Sequence, residues 1–214
     1  MKKNKKVVII DTQTSNIQSV MYACEKNNIN FEVVSEYKSF KENEVLGLIV
    51  PGVGSFKQVM KNLISKNLDK LIIEILKLNK PSLFICVGMQ ILFTESEEFE
   101  KFKGLGIFKG KVLSIPKTFK ENKLIVPVIG WNKIKIKKEN QLFKNIKSLN
   151  FYFTHSFYVS PEENEIIHSY VDYKGFKYCS SICYKNILAT QFHPEKSSKD
   201  GLNIYKNFYN MCYV

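Results

Sequence analysis

LFICVGMQILF, residues 83–93, is apolar at both ends and interrupted by Cys86 and Gly88. A buried strand has no need of the glycine, and a helix interior is weakened by it. The run predicts a strand, a sharp turn at Cys86-Val87-Gly88, and a helix beginning there. A thiol on such a turn stands above the sheet edge. It faces the free N–H groups and positive end of the next helix, which favour a thiolate and an oxyanion. A cysteine between Ile85 and Val87 also suits the role of a small apolar core residue, so this segment alone leaves both readings open.

Outward from this run, strands alternate with helices. VVII (7–10) predicts a buried strand, followed by the polar loop DTQTSN and the amphipathic segment IQSVMYACEKNN. FEVVSE is a short strand. VLGLIVPGVGSF (45–56) predicts a strand and a Gly/Pro turn, and residues 56–80 carry apolar residues at helical spacing. PSLFICVGMQILFTESEE then predicts strand, turn and helix. This alternation predicts an α/β fold: an open, largely parallel central sheet flanked by helices. After residue 98 the pattern changes to short strands separated by turns, including the alternating KIKIKK, before a closing helix at LNIYKNFYNMCYV. No repeat or linker divides the chain, so 1–214 is expected to form one domain whose β-rich second half completes the first.

The chain of 214 residues has a net charge of +12, which would ordinarily suggest nucleic acid or an anionic membrane as partner. All 32 of its basic residues are lysine. Arginine supplies the bidentate phosphate and guanine contacts, so the charge reads as a solvated lysine surface, with no nucleic acid expected. The five cysteines (24, 86, 179, 183 and 212) are odd in number and lack zinc-finger spacing. Reduced thiols, no metal and a cytoplasmic location are expected. The four apolar residues before Asp11 are too few for a signal segment, and no run approaches a membrane span.

A cysteine nucleophile needs a base. His193 lies in TQFHPEKSS just after an apolar strand, where open α/β sheets place their sites. In an extended segment Glu195 would point to the same side and could hydrogen-bond one imidazole nitrogen, leaving the other for Cys86. An exposed loop of no consequence is the alternative. His168, in IIHSYV, reads as a surface-strand residue without a role, and His155, in FTHSFYV, is ambiguous. PGVG (51–54), at the end of its strand, could turn backbone N–H groups into the same crevice or be a simple turn. It lacks the GK[ST] ending of a phosphate loop.

Taken together, PGVGSF, ICVGMQ, GMQILFTESEE, GLGIFKGKV, PVIGWNKI, FYFTHSFYV and QFHPEKSSKDGLNIYKNF extend over nearly the whole chain. In order and spacing they resemble the class I (triad-type) glutamine amidotransferases, which have a flavodoxin-like fold. The branch they most resemble is the glutaminase subunits of imidazole glycerol phosphate synthase. The resemblance implies that Cys86 attacks the side-chain amide of glutamine, with His193 as general base and acid and Glu195 orienting it. Val87 and the Gly52-Val53 turn would form the oxyanion hole, the turn reorienting when the partner is loaded. Gln90, His155, Ser156 and Phe157 would hold the amino-acid end of glutamine. Asn16, Trp131 and Lys196 would face a barrel-type synthase, the partner in a heterodimer that receives ammonia. No cofactor is implied.

Three places differ from the family pattern. Phe84 stands where a glycine is usual and would crowd the turn or the glutamine pocket. The loop Asp11–Asn16 has no glycine, and Val128 replaces a histidine. Two readings stay beside the first: an ammonia-supplying subunit for amino- or amidino-sugar synthesis, and an inactive binding subunit.

Overall fold

The computed structural model describes residues 5–14 and 16–213. Four strands of the first half are β1 (Lys6–Ile10), β2 (Phe31–Val34), β3 (Val45–Val50) and β4 (Ser82–Ile85). Between them run α1 (Ile17–Lys26), α2 (Phe56–Ser65) and α3 (Leu68–Lys77). All six residues of β3 and all four of β4 are buried. Parallel strands covered on both faces read as continuous apolar runs for this reason. The helical pattern of 56–80 divides into α2 and α3 at Asn67, whose φ of 54° is left-handed. Asparagine tolerates that conformation better than most residues.

The remaining elements are the single turn α4 (Val87–Gln90), then β5 (Phe93–Ser96), β6 (Phe102–Lys103), β7 (Phe108–Ser114), β8 (Thr118–Phe119) and β9 (Asn122–Lys123). β10 (Val128–Ile136), β11 (Asn150–His155), β12 (Phe157–Pro161), β13 (Ile167–Tyr173), β14 (Phe176–Tyr184), β15 (Ile187–Thr190) and α5 (Ser198–Met211) complete the order.

One nine-stranded sheet, ordered β11-β10-β13-β14-β15-β4-β3-β1-β2, takes strands from both halves of the chain. β15, β4, β3, β1 and β2 are mutually parallel, and β14, β13, β10 and β11 continue the sheet antiparallel. The parallel part has the strand sequence 2-1-3-4 followed by a fifth, the flavodoxin-like order. A smaller sheet, β12-β7-β5-β6, lies beside it. α1 packs on α5, and α2 on α3. No helix among the described residues is long and apolar enough to cross a membrane.

The structure corrects one local expectation. The helix expected after Gly88 is a single turn, and Phe93–Ser96 is a strand. Tertiary pairing overrides the local pattern: β5 runs parallel to β7, and the Leu105 N–H donates to the Ile91 carbonyl at 2.7 Å.

Candidate active site

β3, β4 and β15 are neighbours and parallel, so the segments that follow them emerge at one edge of the sheet. Those segments are Pro51–Gly54, the Cys86 turn and Gln191–Glu195. Cys86 has φ 56° and ψ −111°, a conformation that costs a non-glycine residue about 1–3 kcal/mol. Three contacts hold it. The Cys86 N–H donates to the Thr190 carbonyl at 2.7 Å, and the Val87 N–H donates to the Gly52 carbonyl at 3.2 Å. Gly88 lies so close to the Val50 carbonyl oxygen that a Cβ there would approach it to 2.0 Å. That close approach is the reason for the glycine in LFICVGMQILF.

His193 Nδ1 and Glu195 Oε1 are 2.7 Å apart and both side chains are buried. The segment is a 3-10 turn at Pro194–Lys196 rather than the extended strand expected, and the turn still brings the two together. Nε2 of His193 has no hydrogen-bond partner among the described residues. Burial by itself would lower the proton affinity of this imidazole. The charge of the Cys86 sulfur and the Glu195 carboxylate outweigh it and raise its pKa to about 10. A protonated imidazole is thereby favoured, with Nδ1 on the carboxylate and Nε2 left for the sulfur side.

A cleft of ≈ 320 Å³ opens over Cys86. Val53, Val87, Gln90, His155, Ser156 and Phe157 line it; Gly52, His193 and Glu195 do not. A larger hollow of ≈ 700 Å³ beside α3 is lined by no cysteine, serine, threonine or histidine. Gln90 Nε2 donates to the Phe157 carbonyl at 3.0 Å and to Gln191 Oε1 at 3.2 Å. His155 Nδ1 donates to the same carbonyl at 2.8 Å, and burial pushes its pKa down to about 4, which keeps the ring neutral.

Two residues in the site carried no assignment from the sequence. Glu98 is the one acid lining the cleft among the described residues. It accepts the Phe56 N–H at 2.6 Å, and burial raises its pKa against that hydrogen bond. Gln191 is fully buried and donates to Cys86 Sγ at 3.6 Å. The acid-rich TESEE and the glutamine before FHPE were their only local signals.

Two further sequence expectations change. Phe84 does not crowd the pocket. It is fully buried in β4, in register with Val50 on one side and the small Ala189 on the other. His168 is not on the surface; it is buried, stacked on Phe143 at 4.8 Å, with Nδ1 3.2 Å from Ser181 Oγ. The glycine-free loop keeps a left-handed residue, Gln13 at φ 60°, whose N–H is held by Asp11 Oδ1 at 2.8 Å. Ser15 lies outside the described residues.

Outside the cleft, Trp131 is half exposed and packs edge-on against Tyr152, with ring centroids 6.3 Å apart. The Lys196 ammonium stands 6.0 Å from the same Tyr152 ring. Ile129, exposed on the same face of β10 as Trp131, pairs in register with Thr154 at the cleft. An apolar strip therefore runs from Trp131 to the cleft mouth. Asn16 is exposed at the start of α1, which packs on the 3-10 turn that carries Lys196.

A family profile described as class-I glutamine amidotransferase matches residues 8–212. Named relatives include the imidazole glycerol phosphate synthase subunit HisH of Aquifex aeolicus, 41% identical, with 95% of each chain covered. The protein of the same name from Geobacter metallireducens is 39% identical, covering 94% of this chain and 96% of the relative. Among solved structures, a putative GMP synthase component from Thermoplasma acidophilum superposes with a TM-score of 0.72 at 18% identity. It covers 98% of this chain and 94% of the other. PurLQS from Thermotoga maritima gives a TM-score of 0.72 at 15% identity, with 97% and 98% covered. The chain belongs to the class-I glutamine amidotransferase family.

Proposed function

We propose that this chain, acting as one domain, is the glutaminase subunit of an imidazole glycerol phosphate synthase. It hydrolyses glutamine to glutamate and ammonia and passes the ammonia to a cyclase partner in histidine biosynthesis. The observation that carries the glutaminase reading is the buried His193–Glu195 pair at 2.7 Å, with Nε2 unspent at the edge where Cys86 emerges. The acceptor follows from the names of relatives matched over nearly the whole chain.

In this reading the Cys86 thiolate attacks the amide carbon of glutamine. His193 gives the Nε2 proton to the departing ammonia, leaving a γ-glutamyl thioester. Water, deprotonated by the same nitrogen, then releases glutamate and restores the thiol. Glu195 keeps the proton on the imidazole and fixes its orientation. Glu98 suits the substrate's ammonium, and Gln90, His155, Ser156 and Phe157 form the part of the cleft wall that would hold the amino-acid end of glutamine.

The oxyanion needs donors. The Val87 N–H is spent on the Gly52 carbonyl at 3.2 Å. Rotation of the Gly52–Val53 peptide would withdraw that carbonyl and bring in the Val53 N–H, giving two donors where one was blocked. The exposed strip from Trp131 to Thr154, with Lys196 and Asn16 nearby, is where a partner would bind and drive that rotation.

The test is glutamate release by the purified chain with and without the cyclase, in parent and Cys86→Ala forms. Cys86→Ala should abolish glutamine-dependent synthesis while added ammonia still supports it. Retained glutaminase activity in this variant would overturn the assignment. Failure to bind the cyclase, with activity restored by a sugar-modifying synthase, would change the acceptor.

A further inference from the structure

Gln191 lies between the end of β15 and His193 and is fully buried, yet it does not line the cleft. Its main chain is fixed from β14, where its N–H donates to the Ser180 carbonyl at 2.9 Å. Its side chain belongs to a relay. The Phe157 carbonyl accepts from Gln90 Nε2 at 3.0 Å, Gln191 Oε1 accepts from the same Nε2 at 3.2 Å, and Gln191 Nε2 points at Cys86 Sγ, 3.6 Å away.

The direction of this relay is forced from its far end. A carbonyl can only accept, so the Gln90 atom facing Phe157 must be the amide nitrogen. That same nitrogen faces Gln191, so the Gln191 atom it meets must be the oxygen. The remaining end of the Gln191 amide, the one beside sulfur, is therefore N–H. A flipped Gln191 would put two N–H groups against each other and an oxygen against the nucleophile, leaving buried groups unpaired.

The chargeable groups around the sulfur have other duties. His193 interacts with it electrostatically but must release its Nε2 proton during the reaction, and Glu195 is engaged with Nδ1. Across the cleft, His155 is spent on Phe157 and Tyr178, and Glu98 on Phe56. Gln191 is neutral, cannot lose its proton during the reaction, and donates to Sγ from a fixed position.

We propose that Gln191 is a dedicated amide donor to the Cys86 sulfur, which favours the thiolate and aims it into the cleft, and that Gln90 locks the amide in the donating orientation. This rests on Cys86 being the nucleophile. Hydrogen bonds to an ionised group are about twice as strong as neutral ones, so the benefit falls on the thiolate and not on the thiol. Gln191 does not itself line the cleft, so its direct effect is on the sulfur and it can reach glutamine only through Gln90.

The test is the pH profile of Cys86 alkylation by iodoacetamide, followed by mass spectrometry of the Cys86 peptide so that the other four cysteines do not interfere. Gln191→Met keeps the length and removes the donor. Its profile should move to higher pH, with alkylation up to about tenfold slower on the acid limb of the curve. Gln191→Glu replaces the donor with an acceptor and should move it further. Gln90→Met leaves Gln191 in place but frees its amide, and should give a smaller shift in the same direction. In steady state, Gln191→Met should lower kcat for glutamine about tenfold with KM within about twofold.

Folding of each variant is checked by its melting transition. If Gln191→Met does not fold, the Gln90→Met profile decides. Unmoved alkylation profiles in folded variants, or a loss confined to KM, would overturn the proposal and leave Gln191 a packing residue. The alkylation readout needs no turnover. A chain in which Cys86→Ala keeps its glutaminase activity would therefore refute the nucleophile assignment separately from the role of Gln191.

Discussion

Gly88→Ala is the most direct probe of how the nucleophile turn is built. The added Cβ would lie 2.0 Å from the Val50 carbonyl oxygen and 3.1 Å from its carbon. A carbon needs about 3.3 Å from such an oxygen, so the end of β3 and the start of α4 must part by about 1.3 Å. Overpacking of this kind costs about 1–3 kcal/mol, and each kcal/mol lowers the Tm of a chain of this size by about 2–4 °C. The chemical penalty is larger. A misplacement of about 1 Å at a reacting group costs about 10²-fold. The expected result is a folded protein melting several degrees lower, with kcat for glutamine down about 10²-fold and ammonia-dependent synthesis by the complex intact. A kcat within threefold of the parent at an unchanged Tm would show that the close approach of Val50 and Gly88 does not position the nucleophile.

His193→Ala should lower glutamine hydrolysis by at least ~10²-fold, and a smaller loss in a stopped assay would point to a different base. Phe84→Gly should unfold or strongly destabilise the chain, because a fully buried ring is removed between Val50 and Ala189 at a cost of about 3–5 kcal/mol; higher turnover at unchanged stability would restore the crowding expectation. Burial pushes the pKa of His155 and of His168 down from 6.5 to about 4. The unfolded chain binds protons at these rings first, so their contribution to stability is full above pH 6.5 and is lost as pH falls toward 4. Each contributes a slope of up to about 1.4 kcal/mol per pH unit in that window. His168→Gln should flatten the fall of the urea midpoint between pH 6.5 and 4, and an unchanged slope would place the acid sensitivity elsewhere.

What the sequence revealed and what it hid follow from the range of the interactions involved. β3 and β4 were legible because a parallel strand buried on both faces is apolar throughout. The turn was legible because Gly88 has no local use in a strand or a helix. The one-turn length of α4 was not, because it is decided by β7, some fifteen residues away in the chain, which pairs with β5. His168 was misread because IIHSYV does not reveal that Ser181 and Phe143 enclose the ring. Glu98 and Gln191 were missed for a related reason. A buried polar side chain acquires its role from the atoms that meet it, and those of Gln191 come from Cys86 and Gln90, about a hundred positions earlier.

If Val87 is the oxyanion donor proposed above, its hydrogen bond to Gly52 bears on how such a subunit could be kept quiet. A single backbone hydrogen bond such as Val87 to Gly52 contributes about 0.5–1.5 kcal/mol net, which would still leave the hole open about 7–30% of the time. Basal hydrolysis would then sit within about fifteenfold of the stimulated rate, whereas loss of an oxyanion donor is worth about 10²–10³-fold. The two magnitudes do not match, so the hydrogen bond alone cannot account for tight coupling to a partner. The rest has to come from the backbone around it. A Cβ on Gly52 would lie 2.9 Å from the Gly88 nitrogen and 3.1 Å from the Val87 Cβ. The resting peptide is thus packed against the nucleophile turn as well as bonded to it. Rotation has to break both contacts together, which makes the Pro51–Gly54 segment, rather than the triad, the element on which a partner's binding energy would act.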